Sequence, residues 1–152
     1  MLRDRIKEAM KTAMKAKDEI GLAATRLIQA ALKDRDIAAR SKGNTDGIGD
    51  DEILGMLQSM IKQRRDSIEM YEKGGRPELA EREAREIDVI ESFLPEQMDE
   101  DAVNAAIDAV MKEMEATSMK DMGRVMAALK ERHAGSMDFG KASALVKARL
   151  GN

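Results

Sequence analysis

One feature dominates the chain: its apolar residues recur at the 3.6-residue period of an α-helix almost from end to end. Leu2, Ile6, Ala9, Met10, Ala13 and Met14 mark a first helix. Ile20, Ala23, Ala24, Leu27, Ile28, Ala31 and Leu32 mark a second, with Asp18 placed to cap it. The string SKGNTDGIG at 41–49 has three Gly and no period, and reads as a flexible loop. Asp50 is then expected to cap a third helix with a stripe of Ile53, Leu57, Met60, Ile61, Ile68 and Tyr71. Gly74-Gly75 supplies a left-handed stop. Pro77 suits the first turn of a fourth helix, running through Leu79, Ile87, Ile90 and Leu94.

Pro95 ends that run, and residues 95–98 (PEQM) read as a hinge. Three shorter helical patterns follow. Asp99 precedes the stripe of Ala102, Val103, Ala106, Ile107, Val110 and Met114. Ser118 and Asp121 make a capping-box-like start for the next, which carries Met119, Met122, Val125, Met126 and Leu129. Asp138 precedes Phe139, Ala142, Leu145, Val146 and Leu150. The expectation is an all-α protein: an antiparallel long-helix domain over 1–94, then a small three-helix tail domain over 95–152. Composition agrees. Aromatics are 2% of the 152 residues, too few for a β-sandwich or barrel, and charged residues are 36%.

The chemistry is limited by what is missing. There is no Cys and a single His, so disulfides, thiol catalysis and Cys- or His-rich metal sites are excluded. His133, near a helix end, has no nucleophile or Asp in its neighbourhood and suits a C-terminal dipole contact. Gly135–Lys141 reads GSMDFGK, close to a phosphate-binding loop, but Ala142 stands where Ser or Thr would hold magnesium, and a helical pattern precedes it instead of a strand. Residues 42–53 resemble a calcium loop but put Lys42 and Ile53 where carboxylates are needed. No catalytic residue, metal or cofactor is expected, and no nucleotide.

The net charge of -3 is unevenly spread. Residues 1–17 carry six basic and two acidic side chains, 95–117 one and seven, and 118–152 seven and three. Any polyanion contact must therefore come from a local patch. Arg3, Asp4, Arg5, Lys7 and Glu8 interrupt any apolar leader, and no stretch approaches the ~20 apolar residues of a membrane span, so a cytoplasmic protein with no membrane partner is expected. Within the third helix, Arg64 falls on the apolar stripe. A guanidinium there needs a carboxylate, with Glu83 or Glu86 of the antiparallel fourth helix in reach. Five Met between 111 and 126 either fill a small core or line a groove for a partner helix.

Three blocks carry a family likeness. They are Lys62-Gln63-Arg64-Arg65-Asp66-Ser67-Ile68 with Tyr71-Glu72-Lys73-Gly74-Gly75-Arg76; Glu86-Ile87 leading to Phe93-Leu94-Pro95-Glu96-Gln97; and Ser118 through Met126 (SMKDMGRVM). Their order and spacing resemble the GatB/YqeY family, in its stand-alone YqeY-like form. In that family the tail domain is shared with the B subunit of glutamine-dependent tRNA amidotransferases, where it helps hold tRNA while the chemistry lies in other domains and subunits. The family label is a carbon–nitrogen ligase with glutamine as amide donor. The resemblance thus implies a partner in tRNA or the aminoacylation machinery. The catalytic cradle and amidase subunit of the full enzyme have no counterpart here, so autonomous catalysis is not expected. Phosphate contacts would fall to Lys120, Arg124, Lys130, Arg132, Lys141, Lys147 and Arg149, with Lys120 and Arg124 one helical turn apart and backbone N–H groups after Ser118 and Asp138 as further donors. The alternative is a protein–protein adaptor docking through the Met-lined groove or the basic first helix.

Overall fold

A computed structural model describes residues 1–151. It is all-α: α1 (Leu2–Lys15), α2 (Glu19–Arg40), α3 (Asp50–Lys73), α4 (Pro77–Glu91), α5 (Glu100–Glu113), α6 (Met122–His133) and α7 (Phe139–Leu150), with a 3-10 turn at Met119–Asp121 before α6. Among the described residues there is no strand. The chain divides into two compact units, Met1–Pro95 and Glu96–Asn152.

In the first unit, three-residue links join α1 to α2 and α3 to α4, and short links between helices make antiparallel neighbours. α2 also packs on α4. The core gathers Ile6, Ile28, Ile53, Met56, Leu57 and Ile90, all essentially without solvent contact, with Phe93 at its edge beneath the Arg5 guanidinium. The Asp18 carboxylate accepts the Gly21 N–H and starts α2. α2 continues to Arg40, eight residues past the last predicted stripe residue. Asp50 does not cap α3: Gly49 is the N-cap, and Asp50, Asp51 and Glu52 fill the first turn, where the helix dipole favours acids. α3 ends in a Schellman motif. Gly75 is left-handed (φ +71°), its N–H reaches the Glu72 carbonyl, and the Arg76 N–H reaches that of Tyr71.

The loop at 41–49 is tethered. Arg3 donates two hydrogen bonds to the Asp36 carboxylate (2.6 and 2.8 Å) and one to the Ile48 carbonyl (2.9 Å), while the Ile48 N–H donates to Asp36 (2.9 Å). Ile48 itself is buried in the core.

The second unit has its own core of Ile107, Val110, Val125, Leu129, Met137 and Val146 from α5, α6, α7 and the α6–α7 turn. Asp99 and Asp138 cap α5 and α7 through their carboxylates. Ser118 and Asp121 make a reciprocal capping box. Most of the expected hinge belongs to this unit. The Met98 N–H donates to the Ser136 carbonyl (2.8 Å) and the Gln97 amide to that of Gly135 (2.7 Å).

Candidate functional site

The seven candidate cations of residues 118–152 fall into two groups. The arginines are each engaged by a carboxylate. Arg124 donates to Asp121 (2.6 Å), Arg132 to Glu113 (2.7 Å), and Arg149 to Asp108 and to the Asn104 side-chain oxygen (2.9 Å). The hydrogen bond from Arg132 lowers the Glu113 carboxyl below its usual range, and Arg132 is raised in turn. The four lysines, Lys120, Lys130, Lys141 and Lys147, are exposed, and no carboxylate among the described residues is within ion-pair distance of any of them.

Asn104, Asp108 and Glu113, the residues on α5 that hold two of these arginines, were not anticipated. Asn104 and Asp108 stand one turn apart, a spacing that places them on one helix face, yet nothing local to it indicates which element that face meets.

The helix termini are also occupied. The Asp138 carboxylate accepts the N–H groups of Gly140 and Lys141 (3.0 and 3.2 Å), so the first amides of α7 are satisfied from within. The Asp121 carboxylate accepts the N–H groups of Thr117 and Ser118. Those backbone bonds, led by Thr117 and joined by Arg124, hold its carboxyl down at about 2. Lys120 lies in the 3-10 turn and Arg124 in α6, so the expected one-turn spacing within a continuous α-helix does not hold. Lys141 and Lys147, six residues apart on α7, project about 120° from each other and form no single row.

The near-motifs resolve physically. The GSMDFGK segment runs through the buried Met137 into the capped start of α7, where Asp138 accepts the Gly140 and Lys141 N–H groups. In the 42–53 segment the Asn44 side chain bonds the Asp46 N–H and the Gly47 carbonyl, and Ile53 lies in the core. Among the described residues no group of three or more His, Asp or Glu gathers where a metal could be held. Of the five clustered methionines, Met111, Met114, Met122 and Met126 pack against the tail core, and Met119 is exposed. These four are partly buried against the core rather than within it.

In the first unit the Arg64 Nε lies 3.2 Å from Glu86 and 3.8 Å from Glu83, and Arg82 reaches the other Glu86 oxygen at 3.7 Å. Burial raises the Glu83 carboxyl, reinforced by the charge of Glu86 and opposed by Arg64 and Arg82.

The molecule is thus a two-unit all-helical protein in which many charged side chains serve as helix caps or ion-pair partners. The family model for the Yqey-like protein matches residues 3–150, and the chain belongs to that family. Curated relatives are proteins described as altered inheritance of mitochondria protein 41, mitochondrial. That of Lachancea thermotolerans is 33% identical over 89 residues, 59% of this chain and 46% of its own length. That of Vanderwaltozyma polyspora is 30% identical over 125 residues, 77% and 64% respectively. The aligned part of the chain therefore spans about half to two thirds of the length of these relatives. Their names overturn the expectation of a cytoplasmic location, since the curated relatives are described as mitochondrial. No helix among the described residues is long and apolar enough to cross a membrane.

Proposed function

We propose that this chain is an accessory module that binds tRNA through its tail unit and works beside the amide-transfer or aminoacylation machinery. The observation that supports this most is the set of four exposed lysines, Lys120, Lys130, Lys141 and Lys147, left without carboxylate partners while every tail arginine is paired. Unpaired lysines condense on phosphates and release counterions, whereas a paired arginine must first give up its carboxylate. Spread over the 3-10 turn, α6 and α7, they suit the backbone of a folded RNA and not a base sequence. Phe139, half-buried at the start of α7, offers little for base stacking. The tail's balance of eight basic and ten acidic residues makes the affinity modest.

The test is titration of fluorescent tRNA with the full chain at low salt. Replacement of all four lysines by Glu is expected to abolish binding, and Arg132→Gln to weaken it far less. Binding that survives the fourfold replacement, or no binding at low salt, ends this assignment.

A further inference from the structure

α2 turns toward solvent a row that its core does not use. Ala24, Ile28 and Leu32 are buried, whereas Ala23, Leu27, Ala30, Asp34 and Ile37 step alternately by four and three residues along the other side. Leu27 is 44% exposed and Ile37 51%. Alternating steps of four and three are the seam along which one helix packs on another. Directly before the seam positions Leu27, Asp34 and Ser41 stand Arg26, Lys33 and Arg40. They form a row along one edge, rising about 10.5 Å at each step. All three are exposed, and no carboxylate among the described residues lies within ion-pair distance of them. Ala31 and Ala38 occupy the opposite edge.

We propose that this face of α2 docks an amphipathic α-helix of another protein, apolar along one stripe and acidic along the edge that meets Arg26, Lys33 and Arg40. Charge complementarity selects this occupant. A second copy does not fit: antiparallel self-pairing sets each basic row against its twin, and parallel pairing sets it against Ala31 and Ala38. A nucleic acid would use the cations but leave Leu27 and Ile37 uncovered. Asp34, the one charged residue within the seam, fixes the register by favouring a Lys or Asn opposite it. The surface belongs to the first unit and is independent of the tRNA reading, which concerns the tail lysines.

The test uses the full chain and two synthetic helices of three heptads. They share a Leu seam with one Lys, and carry either Glu or Lys along the flanks. Fluorescence anisotropy is expected to show the Glu peptide binding about tenfold tighter than the Lys peptide. The Arg26→Glu, Lys33→Glu, Arg40→Glu variant should invert that preference. Leu27→Asp and Ile37→Asp should each weaken binding about tenfold. All these positions are exposed, so circular dichroism of each variant should match the parent. Equal affinity for both peptides, a preference that does not invert, or backbone amide shifts lying outside α2 would each overturn the proposal. Dimerisation abolished by Leu27→Asp would give the face to a second copy instead, and loss of tRNA binding in the charge-reversed variant, with no peptide bound, would give it to RNA.

Discussion

At the residue scale, the most consequential group is the Arg64 guanidinium, 12% exposed, between Glu83 and the 9%-exposed Glu86 side chain. Removing one partner of a buried pair strands the other charge without water. Glu86→Ala is expected to cost about 3 kcal/mol in urea unfolding. The double change Arg64→Met with Glu86→Leu should cost much less, because it removes the desolvated charges together with the pair. Glu83 behaves oppositely. Its carboxyl is raised by burial and by Glu86, so ionisation is harder in the folded chain, and Glu83→Gln should leave thermal stability at neutral pH unchanged or raised. Asp121 is the clearest pH reporter. Its folded carboxyl sits near 2 against an ordinary 3.8. A depressed acid stabilises the fold above the unfolded value and loses that contribution as pH falls through the folded one. The capping box should therefore loosen between about pH 4 and 2. Carbon-detected titration of the Asp121 carboxyl, with Asp121→Asn as the pH-insensitive control, measures it.

At the scale of elements, the loop between α2 and α3 shows how a Gly-rich stretch becomes fixed. Gly47 has φ +92°, and a Cβ there would come within 2.6 Å of the Arg3 guanidinium and 3.0 Å of the Asp36 carboxylate. Gly47→Ala thus meets both a strained backbone and the tether from Arg3. A loss of about 1–3 kcal/mol is expected, with faster hydrogen exchange at the Ile48 amide. The stretch reads as a flexible loop in sequence because its anchors, Arg3 and Asp36, are respectively 45 and 12 residues from Ile48. Helix starts are far more legible. Asp18, Asp99, Asp138 and the Ser118–Asp121 box act on amides within four residues, and local chemistry suffices to find them. Asp50 is the instructive exception. Three cap-compatible residues stand together at 49–51, and the extended backbone of Gly49 (ψ 173°) makes it the cap.

At the scale of the molecule, the net charge of -3 hides a division. Residues 1–42, which contain α1 and α2, hold eleven basic and six acidic side chains, and residues 43–95 hold seven and thirteen. The tail holds eight and ten. The tRNA binding proposed for the tail should accordingly be weak and salt-sensitive. With four lysine contacts, affinity for tRNA should fall roughly 50- to 150-fold between 50 and 200 mM salt. Fold class, helix number, most caps and the Schellman stop at Gly74-Gly75 were set by the sequence itself, because periodicity, capping and left-handed glycine act over a turn or two of chain. The tertiary structure alone decided which charges remain free. Arg132 and Arg149 are neutralised from α5 across 19 and 41 residues, and one apolar row of α2 enters the core while its neighbour is left in solvent. The same 3.6-residue spacing draws both rows, and only the packing of α1, α3 and α4 around α2 selects between them.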